Sequence, residues 1–122
     1  MGRACLACFV LLLSVPRAVW PQGGTPLGDE FRVNTYTTGT QYNAEVAADP
    51  GGNFVVVWTD FVQDGSGFGV FAQRFGSSGA PLGPEFRVNT YTTSFQWFAS
   101  VAADSAGNFV VVWSAYGLDP IS

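Results

Sequence analysis

The stretch PLGDEFRVNTYTTGTQYNAEVAADPGGNFVVVW, residues 26–58, returns as PLGPEFRVNTYTTSFQWFASVAADSAGNFVVVW, residues 81–113. The offset is 55 residues, with no insertion or deletion between the two copies. Aligning residues 25–67 on 80–122 gives 26 identities in 43 pairs, so the chain is built from one unit used twice. Self-similarity at a fixed period of this length is the signature of a repeat architecture, in which each unit buries its apolar faces against its neighbours.

Each unit reads as four strands. In the first, Glu30 to Thr35, Phe31, Val33 and Thr35 fall on one face and Glu30, Arg32 and Asn34 on the other. That alternation is the mark of a half-buried strand. The second, Ala44 to Ala48, is made largely of small residues. The third, Phe54 to Trp58, is apolar at every position and therefore requires cover on both sides. The fourth, Phe68 to Phe75, alternates aromatic with small residues. Turn chemistry fills the links: Asp49-Pro50-Gly51-Gly52-Asn53 joins the second strand to the third, and Gly76 to Pro81 joins one unit to the next. No segment beyond the N-terminal run has helical periodicity. The expected fold is all-β, with tandem four-stranded antiparallel units stacked face to face like β-propeller blades. The alternative is a β-sandwich of tandem hairpins, whose sheets each keep one polar face; the third strand argues against it.

Outside the repeat, residues 1–20 (MGRACLACFVLLLSVPRAVW) carry a basic start at Arg3 and an apolar run from Ala4 to Val15. The run is shorter than the roughly 20 residues needed to cross a bilayer as a helix, and it fits a secretory leader. Cys5 and Cys8 lie inside that run, so their C-x-x-C spacing is not read as a redox or zinc motif. The expected organisation is a signal peptide at 1–20, a linker at 21–26, a first unit at 27–81 and a second at 82–122. The second unit lacks counterparts of Phe68 to Pro81, and two blades cannot close a ring of about four to eight. A piece of a longer array is therefore expected, in preference to a protomer that closes its ring by oligomerising.

Composition narrows the chemistry. The chain has 122 residues, nine acids, five arginines, no lysine and no histidine. Schiff-base and lysine phosphate chemistry are excluded, and so are the commonest general base and zinc ligand. A net charge of −4 lacks the basic stripe that nucleic-acid binding requires. Losing the leader would leave three arginines and no cysteine. No N-x-S/T sequon is present.

The segments Glu30 to Gln41, Val46 to Trp58 and Gln63 to Phe75, with the second copies Glu85 to Gln96 and Val101 to Trp113, carry a resemblance. They are similar to repeats of about 55 residues in long tandem arrays of secreted or surface bacterial proteins. Those repeats read approximately E-F-x-V-N-T-x-T-x-G-x-Q … V-A-x-D-x-x-G-N-F-V-V-V-W … Q-D-G-S-G-x-G-V-F-x-Q-R-F. The resemblance implies a propeller-like fold and an extracellular or cell-surface location, and some such arrays sit beside calcium-binding or adhesion modules. Tyr42, Trp97 and Phe98 depart from the pattern at positions that are more often polar. A looser likeness to sialidase-type propellers fails on the Asp box, because Asp49, Gly52 and Trp58 do not have its S-x-D-x-G-x-x-W spacing.

In a meander the turns alternate ends. The longer loops therefore gather on one face, which is the expected ligand surface because a rigid scaffold carries function on its loops. The candidates are Tyr36, Thr37, Thr38 and Gln41, with their copies Tyr91, Thr92, Thr93 and Gln96. Hydroxyls, amides and aromatics together suit a carbohydrate or a protein. Asp60, Asp64 and Ser66 bring oxygens into one loop and are weak calcium candidates, although Ala115 replaces Asp60 in the second copy. Asp49 with Asn53, and Asp104 with Asn108, read as Asx turns. Arg32 and Arg87 read as structural, and Trp58 and Trp113 as core. No catalytic residue is assigned: Asp29-Glu30, the nearest approach to a carboxylate pair, becomes Pro84-Glu85. The expected function is a secreted, non-enzymatic scaffold for extracellular binding or adhesion, touching membrane only through its secretion signal. The alternatives are part of a propeller enzyme of glycoside hydrolase or lyase type, or a calcium-binding surface protein.

Overall fold

The computed structural model describes residues 26–117, together with the backbone at Phe9–Val10, Leu13–Ser14 and Thr25. The elements in chain order are β1 (Phe9–Val10), β2 (Leu13–Ser14), β3 (Thr25–Pro26), β4 (Phe31–Arg32), β5 (Gln41–Ala48), β6 (Phe54–Phe61), β7 (Phe68–Phe75), β8 (Phe86–Arg87), β9 (Gln96–Ala103) and β10 (Phe109–Ala115). The fold is all-β, with no helix among the described residues.

A four-stranded antiparallel sheet, ordered β5-β6-β7-β8, forms the centre, and β9 pairs with β10 beside it. β6 runs the full length of β7, from Phe54 opposite Phe75 to Phe61 opposite Phe68. The unbroken apolar run in β6 supplies both faces of the sheet. Phe54, Val56 and Trp58 join Val33, Phe71 and Phe75 on one side. Val55 and Val57 join Val70, Ala72 and Ala99 on the other. Full burial of side chains of this size contributes about 1.5–3 kcal/mol each. Two-sided cover of this strand is what the sequence demanded.

The sheet is out of phase with the repeat. β8 belongs to the second sequence unit, yet it pairs with β7 of the first, Phe71 opposite Arg87 and Ala72 opposite Phe86. The local cause is the tight link between them. Gly76 N donates to the Ala80 carbonyl (2.8 Å), Gly79 N to that of Gly76 (2.9 Å), and Leu82 N to that of Arg74 (2.8 Å), which folds the chain straight back as a hairpin. The four strands of one sheet are thus the second, third and fourth of one repeat and the first of the next. The expected first strand, Glu30 to Thr35, is reduced to Phe31–Arg32, whereas the second and third extend back to Gln41 and on to Phe61.

Two short pairings involve the apolar N-terminal run. β1 pairs with β4, Phe9 opposite Arg32 and Val10 opposite Phe31, and β2 pairs with β3. The first repeats the registers of β7 on β8, so this backbone stands beside β4 as β7 stands beside β8. The remainder of the expected leader, with Cys5 and Cys8, lies outside the described residues.

Both small-residue strands carry a bulge near their starts, where the register shifts between Tyr42 and Glu45 in one copy and opposite Val112 to Ser114 in the other. Asn43 (φ 52°) and Phe98 (φ 53°) are the left-handed residues at these two bulges. Asn adopts that conformation readily; an aromatic residue does not.

Candidate functional site

The links at residues 33–40, 62–67 and 88–95 meet at one end of the sheets, as the meander requires. Phe61 N donates to the Thr40 carbonyl (3.0 Å), and Val62 N to that of Gly67 (2.6 Å). Gly67 (φ +84°) lies against the Phe95 ring, where a Cβ would come within 3.1 Å of it, so this contact requires glycine.

The Tyr-Thr-Thr loop is built identically in both copies. Asn89 Nδ2 donates to the Tyr91 carbonyl (2.8 Å) and to Gln96 Oε1 (3.2 Å), and Gln96 Nε2 donates to the Thr93 carbonyl (2.9 Å). In the first copy Asn34 Nδ2 donates to the Tyr36 carbonyl (2.7 Å), with Gln41 Oε1 at 3.5 Å, and Gln41 Nε2 donates to the Thr38 carbonyl (2.9 Å). All four amides are buried, so each loop is held from beneath. Gln41 and Gln96 are therefore not part of a ligand-facing surface, contrary to expectation. Buried amides must find partners, and the carbonyls of the loop supply them. The surface of the loop is left to its tyrosines and threonines: Thr37, Thr38, Tyr91 and Thr93 are exposed, Tyr36 and Thr92 half-buried.

Two features of the amide pair differ between the copies, the first being that Gln41 Nε2 also donates to Asp60, a position taken by Ala115 in the second copy. Asn89 Oδ1 accepts from the buried amide of Val70 (2.8 Å), tying this loop to β7. Asn34 Oδ1 is buried without a hydrogen-bond partner among the described residues.

The carboxylates at this end are committed to the fold. Asp60 is buried; its Oδ2 accepts from Gln41 Nε2 (2.8 Å) and its Oδ1 from Gln63 N (3.2 Å). Burial pushes its pKa up to about 6, against the opposing pull of those two hydrogen bonds. Asp64 Oδ1 accepts from Ser66 N (3.0 Å), closing the turn. Glu85 takes Thr35 N (2.7 Å) and Thr35 Oγ1 (2.9 Å) on one oxygen, and Gln63 Nε2 (2.6 Å) on the other. Among the described residues no three Asp, Glu, His or Cys side chains are grouped to hold a metal ion. Asp60 and Asp64 accept hydrogen bonds of the core and of the turn, and Asp64 Oδ2 is buried with no hydrogen-bond partner among the described residues.

An aromatic cluster beside the loops was not singled out from the sequence. Phe68 is its hub, with ring centroids 4.8 Å from Phe61, 5.5 Å from Tyr42, 5.2 Å from Phe95 and 5.7 Å from Trp97. Phe95 stacks on Trp97 at 5.5 Å and 10°. Phe61 and Phe95 remain more than a third exposed, so part of the cluster faces outward. The available signal was the departure of Tyr42 and Trp97 from the polar pattern, together with phenylalanines on either side of the 62–67 loop.

At the opposite end, Asp49 accepts from Asn53 N (3.0 Å) and Nδ2 (2.9 Å), and Asp104 accepts likewise from Asn108 (2.9 and 2.8 Å). These are the expected Asx turns, and the side-chain hydrogen bond from the asparagine holds each carboxyl below its ordinary pKa. Arg32 and Arg87 brace their own chain, donating through Nε to the carbonyls of Asn34 (3.1 Å) and Asn89 (2.9 Å). Trp58 is core, as expected. Trp113 is 38% exposed, because no strand stands beside β10 where β7 stands beside β6 among the described residues. Two concave sites flank the sheets. One cavity of about 170 Å³ sits at the Asx-turn end between Asp49, Arg74 and Gly107. Another of about 440 Å³ lies between β4 and the β7–β8 hairpin.

No protein-family model matches the chain, and no curated protein or solved structure proves similar to it.

Proposed function

We propose that the chain is a secreted or surface-exposed, non-enzymatic scaffold that binds an extracellular carbohydrate or protein through its loop end. The observation that carries this reading is the duplicated Tyr-Thr-Thr loop. Each copy is held by a buried Asn–Gln pair while its tyrosine and threonine side chains are left at the surface. A binding loop whose shape is set in advance loses little freedom when a ligand arrives. The adjoining aromatic cluster adds flat apolar faces next to hydroxyls, a combination that suits sugar rings and peptide side chains alike. An acid–base reading has less support, since both oxygens of Asp60 and of Glu85 are taken by neighbours in the fold. The resemblance to secreted bacterial repeat arrays supports the extracellular assignment.

The test is a screen of immobilised glycans and peptides with the wild-type chain and with a Tyr36→Ala/Tyr91→Ala double variant. Retention by a defined ligand class, lost in the double variant, is the expected result. Binding that survives removal of both tyrosines, or no retention across both arrays, overturns the proposal.

A further inference from the structure

The interface inside the chain has an outward-facing copy at each end. β9 packs across β5, β6 and β7. The receiving face includes Ala47, Val55 and Val57, and the residues set against it include Ala99 and Val101. Because the units repeat every 55 residues, the inserted strip occurs twice and so does the β5–β6 part of the receiving face, whereas Val70 and Ala72 on β7 have no second copy in the sequence.

The second copy of the receiving face is Ala102, Val110 and Val112, on β9 and β10. Val110 and Val112 are each 60% exposed, whereas Val55 and Val57 are buried. The register is preserved as well: Val110 stands opposite Ala102 as Val55 stands opposite Ala47. Phe98, 63% exposed, adds a ring to the same strand. The earlier copy of the inserted strand is β5, where Ala44 and Val46 correspond to Ala99 and Val101. Val46 is 58% exposed and Ala44 is exposed, whereas Ala99 is buried. The second unit therefore exposes the β5–β6 part of the socket, and the first exposes the strip that corresponds to the one seated on it inside the chain.

We propose that a second copy of this chain docks head to tail here, laying the Ala44–Val46 face of its β5 on the Ala102, Val110 and Val112 face of β9–β10. The occupant is identified by the internal interface, which already shows this sequence pattern seated on its own copy. Such contact joins two different surfaces, so it repeats from copy to copy and either closes into a ring or extends as a chain. Exposed apolar faces of this kind mark interaction sites. The inference goes beyond ligand binding at the loops and does not depend on it.

The experiment is sedimentation velocity of the full chain over a concentration series, with Val46→Glu and Val112→Glu made separately. Both side chains are largely exposed in the single chain, so the fold does not depend on them; circular dichroism checks this. Ala44→Glu and Val110→Glu form a second pair with the same expectation. Wild type is expected to gain mass with concentration, and each single variant to stay a single chain. An equimolar mixture of the two variants is expected to form two-chain particles and nothing larger, since one partner retains an intact socket and the other an intact strip. A wild type that remains a single chain throughout overturns the proposal. So does an inert mixture, or loss of assembly in Val112→Glu but not in Val46→Glu, which would mean that β10 faces pair with each other.

Discussion

Asn89→Ala and Asn34→Ala form an informative pair, because the same residue occupies the same loop in both copies and only Asn89 accepts from Val70. Each asparagine holds its loop through Nδ2, and removing it strands a tyrosine carbonyl. Asn89 alone also accepts from the amide of Val70, a residue with no exposed surface in the centre of the sheet. Leaving a buried polar group without a partner costs about 1–3 kcal/mol. The loss common to both variants amounts to about 1–3 kcal/mol. Asn89→Ala adds the Val70 amide, about 1–2 kcal/mol more. Urea unfolding at one fixed protein concentration, read by tryptophan fluorescence, measures the difference, with linear extrapolation for each variant. Hydrogen exchange at Val70 gives a local reading, with protection expected to fall further in Asn89→Ala than in Asn34→Ala. Equal destabilisation by the two substitutions, within about 0.5 kcal/mol, would refute the assignment of the Val70 bond as an independent contribution.

Two further predictions concern a titration and a strained residue. Asp60 has a pKa near 6 in the fold, against 3.8 for the free side chain. The native state therefore holds a proton that the unfolded chain has released, and stability falls as pH rises through that interval, then levels off above it. Asp49 and Asp104 are shifted the other way and lose stability as pH drops, so the contribution of Asp60 is isolated by comparison with Asp60→Asn. The expected outcome is a shallower fall between pH 4 and 6 in the variant, and parallel profiles would count against it. Phe98 sits at φ 53° and is mostly exposed, whereas the first copy places Asn43 there. Phe98→Asn is expected to raise stability by about 0.5–1 kcal/mol through relief of the left-handed strain; a lower thermal midpoint would contradict this.

Much of the fold was legible because it is local. The apolar run Phe54 to Trp58 announced a strand covered on both sides, and its alternate residues do join two separate clusters. Asp49 with Asn53 was readable as an Asx turn because its partners are four residues apart. Gln41 and Gln96 were misplaced because each turns back beneath its own loop toward an asparagine seven residues earlier, a contact that no strand or turn pattern marks. The aromatic cluster was missed for a related reason: Phe68, Phe95 and Trp97 come from different sheets and meet only after β9 has packed on the centre.

By itself the sequence determined the unit, its strands and its turns, since periodicity, glycine placement and Asx chemistry act over a few residues. Only the tertiary structure decided the phase, that is, which strand completes which sheet. The first strand of a unit has a partner edge on either side in the chain. The tight Gly76–Ala80 link delivers β8 to β7, and the longer Tyr91–Phe95 loop carries the chain on to a new sheet. That choice lies in long-range pairing and burial, and it leaves Val46 on β5 and Val110 and Val112 on β10 exposed where their counterparts are covered.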